Sequence, residues 1–177
     1  FGQLDYSWTD ALTVSVGARY TEEKQETALF GFTGSQESVV TADEKFTDFS
    51  PRFAFIYTAS DNVNFYGTIS KGFKSGGVQV PPCSTCSDSF DEETLWNYEI
   101  GVKTELLEDR LRLNAALFYM DWDGLQVEFE QSGIDEDGNL ILYSGLNNAE
   151  NSTSKGAELT IDALLTEHLV ASLSVGY

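Results

Sequence analysis

Between Trp96 and Tyr119 the apolar residues fall on every second position. Trp96, Tyr98, Ile100 and Val102 share one parity, while Asn97, Glu99, Gly101 and Lys103 take the other. After the break Glu105–Arg110 the pattern resumes. Leu111, Leu113, Ala115, Leu117 and Tyr119 now alternate with Arg112, Asn114, Ala116 and Phe118. A period of two sends successive side chains to opposite faces of an extended strand. The stretch is predicted to be a hairpin of two long strands, with one apolar face and one face that is polar, charged or small. A β-sandwich buries such an apolar face in its core. An outer-membrane barrel presents it to lipid. Strand length separates the two: soluble strands typically run about 5–6 residues, membrane strands about 9–11. These runs are of the longer kind.

The rest of the chain repeats the pattern. Leu4, Tyr6 and Trp8 alternate at the start. Leu12, Val14, Val16, Ala18 and Tyr20 follow a turn at Thr9–Ala11, opposed by Thr13, Ser15, Gly17, Arg19 and Thr21. Pro51, Phe53, Phe55 and Tyr57 oppose Ser50, Arg52, Ala54 and Thr58. Past a tight turn at Ala59–Asn62, Val63, Phe65, Gly67, Ile69 and Phe73 oppose Asn64, Tyr66, Thr68, Ser70 and Lys74. Lys71 falls on the apolar parity, so it must lie above the lipid, snorkel, or follow a bulge. Ala157, Leu159 and Ile161 alternate with Glu158, Thr160 and Asp162, and a last strand starts at Leu169. About eight strands result. Their connections alternate short and long, with long polar segments near residues 22–47, 75–93 and 121–151. Inside the last of these, Asp135–Asn139 between Val127–Phe129 and Leu140–Leu142 predicts a smaller hairpin. Long connections gathered at one end suit an outer-membrane barrel. Trp8, Tyr20, Tyr57, Phe65, Trp96 and Tyr119 near the strand ends suit its aromatic girdles.

Composition restricts function. The net charge is −19, with 10 Lys+Arg against 29 Asp+Glu, which excludes a broad nucleic-acid surface. No run approaches the ~18 apolar residues of a membrane helix, and a mean hydropathy of −0.22 is compatible with half-apolar barrel strands. The chain opens at Phe1, inside a strand and without a signal segment, as a piece of a longer precursor would. The clustered acids read as solvated loops or as an outer surface that attracts cations.

Five segments resemble one family. They are Phe49–Phe53, Ser70–Gly77, Asn97–Lys103, Arg110–Tyr119 and Ser154–Leu159, in that order. Together they are similar to the barrel of TonB-dependent outer-membrane receptors, across essentially all 177 residues. The resemblance implies an all-β, antiparallel transmembrane barrel segment of about eight strands, from the later part of a 22-stranded barrel. An open, curved sheet is expected, an arc lacking the plug domain, the TonB box and the closing carboxy-terminal strand. It further implies capture of a scarce nutrient, most commonly a ferric siderophore, with haem, cobalamin and glycans as other options. Energy would arrive through the TonB complex and the missing amino-terminal part. The partners are then the outer-membrane bilayer, the plug, TonB and the ligand, with no nucleic acid. Two other readings stay open: a self-contained eight-stranded anchor or adhesin barrel, and a soluble carbohydrate-binding sandwich.

The candidate residues follow. Arg19, Arg52, Tyr66, Lys74, Asn97, Glu99, Lys103, Arg112, Asn114, Glu158 and Asp162 share the polar parity and are expected to face the lumen, for charge pairing and hydration or for ligand and plug contact. Cys83 and Cys86 form a C-x-x-C with no second pair and only His168 elsewhere, so no zinc site is expected. In an exported loop they are expected to form a disulfide. Asp135–Asn139 resembles a calcium loop, but Leu146 stands where the bidentate Glu is needed. No catalytic set, cofactor motif or phosphate-binding loop is present.

Overall fold

The structure is a computed structural model and describes residues 1–33, 36–79, 89–134 and 140–177. Twelve strands succeed one another. β1 (Gly2–Ser7), β2 (Leu12–Thr33), β3 (Gln36–Ser60) and β4 (Val63–Lys74) come first. The short β5 (Gly77–Val78) and β6 (Ser89–Phe90) precede β7 (Glu93–Leu106) and β8 (Leu111–Asp123). β9 (Gln126–Ile134), β10 (Leu140–Asn148), β11 (Asn151–Thr166) and β12 (Leu169–Gly176) complete the chain.

Eight of these make one antiparallel sheet in the order β1-β2-β3-β4-β7-β8-β11-β12. Neighbours in the chain are thus neighbours in the sheet, as a meander requires. Among the described residues β1 pairs only with β2 and β12 only with β11, so both outer edges are open. β5–β6 and β9–β10 form two small hairpins at the long-loop end. Short turns at residues 8–11, 61–62, 107–110 and 167–168 define the other end.

The register keeps the two parities on separate faces. On one face the row Tyr6, Val14, Phe55, Gly67, Ile100, Leu117 and Ala157 crosses seven strands without a polar side chain. Among the described residues no second layer covers it: Ile100 is 58% exposed and Leu117 56%. Among the described residues Ala54 is the sole buried hydrophobic one, so the sheet has no core of its own. A sandwich would have one. The apolar face ends in aromatics both ways. Tyr6 meets Trp8 edge-on at 6.1 Å near the short turns, while Trp96, Tyr98 and Tyr119 pack in a row at 6.2–6.3 Å toward the loops.

The same row measures the tilt. Tyr6 lies one residue from the end of the β1 ladder at Ser7, whereas Ala157 lies nine residues above Thr166. The row therefore climbs about one residue per strand. With ~3.3 Å per residue and ~4.8 Å between strands, the strands lean roughly 35° from the axis that such a sheet would close around, inside the range that barrel closure needs.

Residues 22–33 and 36–47, expected as part of a loop, are instead a ribbon: the β2–β3 ladder runs unbroken from Leu12↔Tyr57 to Thr33↔Gln36. Backbone pairing continues although apolar alternation stops after Tyr20, because ladder bonds do not depend on side-chain polarity. β3 leaves β4 after Arg52↔Ser70, and beyond it the ribbon touches its neighbours through side chains, as where Gln25 Nε2 donates to Ser75 Oγ at 3.3 Å. We take Leu12–Tyr20 and Phe49–Tyr57 as the membrane-spanning parts of this pair. The seventh main strand is also longer than expected, Asn151–Thr166 rather than 155–163, and His168 is exposed in its turn. The small hairpin appears as expected, with its tip at residues 135–139 outside the described residues. Cys83 and Cys86 lie outside them too.

Candidate functional site

All eleven candidate polar residues fall on one side of the ladder. Lys103 stands opposite Asn64 and Asn114, Glu99 opposite Thr68 and Phe118, and Arg112 opposite Glu105 and Asp162. Arg52 faces Gly17 and Ser70, Asn97 faces Ser70 and Met120, and Glu158 faces Ala116 and Gly176. Arg19 opposite Ser50 and Lys74 opposite Glu93 sit apart, toward the loops.

Two clusters form. At mid-height the Tyr66 hydroxyl donates to Glu99 Oε1 at 2.7 Å, and Lys103 Nζ lies 5.4 Å from the Tyr66 ring centroid. The ring can take this position because its cross-strand partner is glycine. A Cβ on Gly101 would sit 2.6 Å from three atoms of Tyr66. Gly67 does the same on the apolar face, where a Cβ would meet Phe55 at 2.4 Å. The second cluster lies near the short turns. Arg112 Nη2 donates to Glu105 Oε1 at 2.8 Å, and the Ser172 hydroxyl donates to Asp162 Oδ1 at 2.6 Å. Both ends of the Arg112–Glu105 pair are more than half exposed, so it contributes at most about 1 kcal/mol.

The loop end is held by side chains. Gln79 Nε2 donates to the Leu146 carbonyl at 2.8 Å, and the Leu146 N–H returns to Gln79 Oε1 at 2.7 Å. Gln126 Nε2 donates to the carbonyls of Ser75 and Asp91, and Asn148 Nδ2 to those of Gly124 and Asp91. These amides tie the β4–β7 connection to the β8–β11 connection. Lys71 resolves its own parity conflict here. Among the described residues no strand pairs with β4 on the β3 side beyond Ser70, and Lys71 Nζ reaches Asp48 Oδ1 at 2.5 Å. Asp48 also accepts from the Ser50 hydroxyl, and its side chain is only 4% exposed. Burial alone would raise its pKa. The hydrogen bonds from Lys71 and Ser50 and the Lys71 charge outweigh burial and hold the carboxyl below its ordinary value. Among the described residues no cluster of three or more His, Cys, Asp or Glu could hold a metal ion.

Sequence reasoning missed Asp48, Glu105 and the amide knot. Glu105 was legible, since it shares the polar parity of Lys103. The knot and Asp48 depend on where strands part, which no local pattern encodes.

A two-faced, single-layer sheet with open edges, barrel tilt and all its loops at one end is part of a larger barrel. A family model described as TonB dependent receptor-like, beta-barrel matches residues 1–177. The chain belongs to the TonB-dependent receptor β-barrel family. This places it in the outer membrane. It is 31% identical over 125 residues to the metal-pseudopaline receptor CntO of Pseudomonas aeruginosa, covering 67% of this chain and 16% of that protein. It is 27% identical over 172 residues to the ferric-pyoverdine BN7/BN8 receptor of Pseudomonas putida, covering 97% and 19%. The chain thus spans less than a fifth of these relatives. Its fold is similar to that of the ferric yersiniabactin uptake receptor FyuA from Yersinia pestis, with a TM-score of 0.75 at 20% identity, covering 98% of this chain and 26% of that one. The siderophore receptor PiuA from Acinetobacter baumannii gives 0.71 at 19%, covering 98% and 24%.

Proposed function

We propose that this chain is the wall segment of an outer-membrane receptor that takes up a scarce metal, most readily as a ferric siderophore or a similar metal chelate. It is a transport component and not an enzyme. The observation that carries this reading is the strict division of one sheet into an uncovered apolar face and a polar face, within a family of such receptors. The apolar face meets lipid. The polar face, with Arg19, Arg52, Tyr66, Lys74, Asn97, Glu99, Lys103, Arg112, Asn114, Glu158 and Asp162, lines the lumen. The two open edges need further strands, because an unpaired backbone group in lipid costs several kcal/mol. A barrel of that width is too wide to be filled by its own side chains, so a plug closes it. The plug and the TonB contact belong to other parts of the protein. A self-contained eight-stranded barrel would instead require a ladder between β1 and β12.

The test uses the full-length gene in its own outer membrane. Under iron limitation, uptake of labelled ferric chelates should require both this receptor and TonB. Uptake that survives loss of TonB would reject the energised-transport reading.

A further inference from the structure

Buried residues, among those described, fall in two places. Gly17, Ala54 and Gly67 belong to the spanning body, whereas Asp48, Gly76 and Gly77 lie at the outer end, where the strands part. Just past the end of β4 come Ser75, Gly76 and Gly77. A Cβ on Gly76 would strike the Phe90 carbonyl oxygen and come within 2.8 Å of the Asp91 carbonyl carbon and 2.9 Å of the Phe46 ring. A Cβ on Gly77 would come within 2.8 Å of the Phe90 ring. Two positions without side chains thus let β6 and the β2–β3 ribbon close on the same stretch of backbone.

The ribbon docks there by one face. Thr21, Glu23, Gln25 and Phe46 are half-buried and Asp48 is buried, while Glu22, Lys24, Lys45 and Thr47 on the other face are exposed. Gln25 Nε2 donates to Ser75 Oγ at 3.3 Å. From the opposite side Gln126 Nε2, at the foot of β9, donates to the Ser75 carbonyl at 2.9 Å and the Asp91 carbonyl at 3.0 Å. Asn148, at the foot of β10, accepts from the Asp91 N–H at 2.7 Å and donates back to the Asp91 carbonyl at 3.0 Å. Ser75 is therefore held to the ribbon by its hydroxyl and to the β9–β10 hairpin by its carbonyl.

We propose that Ser75–Gly77 is a joint through which the β2–β3 ribbon and the β9–β10 hairpin loosen and shift together, although no strand ladder connects them. The element with two arrangements is the inner face of the ribbon. Seated, it sets Phe46 against Gly76 and fixes Ser75. Unseated, it frees Ser75 and with it one of the two carbonyls that hold Gln126. Coupling of this kind is reciprocal: whatever loosens the ribbon loosens the foot of β9–β10, and the reverse holds by the same factor. It does not depend on what the receptor carries.

Amide hydrogen exchange of the full-length protein in detergent, read by mass spectrometry, tests the joint. Phe46→Ala removes the ring that rests on Gly76. Exchange should rise about tenfold at residues 43–48 and also at 126–130 and 144–148. Gln126→Ala perturbs the other side and should raise exchange at 43–48 by a like factor. Phe46→Leu keeps apolar bulk against Gly76 and should leave both regions close to wild type. Leu142→Ala, at a side chain 82% exposed on β10, should leave the ribbon unchanged. Strands read at 63–70 and 98–104 should stay protected in every variant, which shows that the barrel has folded. A rise confined to the element that carries the substitution overturns the joint. So does transmission in one direction only, because linkage requires both. A ribbon loosened by Leu142→Ala overturns it as well, since the loop end would then soften without passing through Ser75. If Phe46→Ala loses protection throughout the barrel, Gln126→Ala decides alone: raised exchange at 43–48 supports the joint, and unchanged exchange there overturns it.

Discussion

The spanning body of the sheet and its loop end are built differently. In the body the backbone ladder continues through all eight strands, and each side chain has only to belong to the right face. At the loop end the ladder breaks: β3 parts from β4 after Arg52, and the described residues between β4 and β7 pair as the separate β5–β6 hairpin. There the attachment falls to single side chains, namely Lys71, Asp48, Gln79, Gln126 and Asn148. Where the backbone pairs, many residues are interchangeable within a face. Where it does not, one residue is not.

The largest effect should therefore come from the loop end. Lys71→Met leaves the Asp48 carboxylate buried without its counter-ion, which costs roughly 3–5 kcal/mol; Lys71→Met with Asp48→Asn should recover most of it. Denaturant titration of the refolded full-length protein reads both. The sign with pH follows from the lowered carboxyl. The pair stabilises fully above the ordinary value of 3.8, and its contribution fades as the pH falls through the still lower folded value. Wild type should show this acid loss and the double variant should not.

Next comes the face rule of the body. Val16→Arg puts a charge on the lipid side at a cost of about 2–4 kcal/mol, while Ser15→Arg, one residue away, faces the lumen beside Asp5 and Ala54. Outer-membrane assembly yields should differ sharply, and equal damage would refute the register. Gly101→Ala tests a place where the body is also particular. The methyl collides with Tyr66, and overpacking of this kind costs about 1–3 kcal/mol; adding Tyr66→Ala should relieve it. The smallest effect belongs to the β7–β8 turn, where Leu107, Glu108 and Asp109 hold φ of 56°, 56° and 64°. Each left-handed non-glycine residue carries about 1 kcal/mol of strain, so Asp109→Gly should raise the unfolding midpoint slightly.

What the sequence made legible follows the same division. The eight strands, their two faces and the end that bears the loops were all written in period-two alternation, because lipid and lumen impose it. The β2–β3 ribbon above Tyr20 was not, since both of its sides meet water and the side chains carry no period. The Tyr66–Gly101 fit needed the register, which relates residues 35 apart in the chain. Lys71 announced a problem through its parity, but its answer, Asp48, could be found only where β3 leaves the sheet.

The one-residue climb per strand has a consequence for anything that passes along the polar wall. Tyr66, Gly101, Ala116 and Glu158 are joined by consecutive ladder bonds, yet Tyr66 lies three residues above its turn and Glu158 eight above its own. Hydrogen-bonded neighbours are thus steps of a spiral stair, not members of a ring. Side chains that stand level with one another are therefore not ladder partners: Glu99 and Glu158 lie seven and eight residues above the ends of their strands, although the row through Glu99 and Phe118 reaches β11 at Gly156.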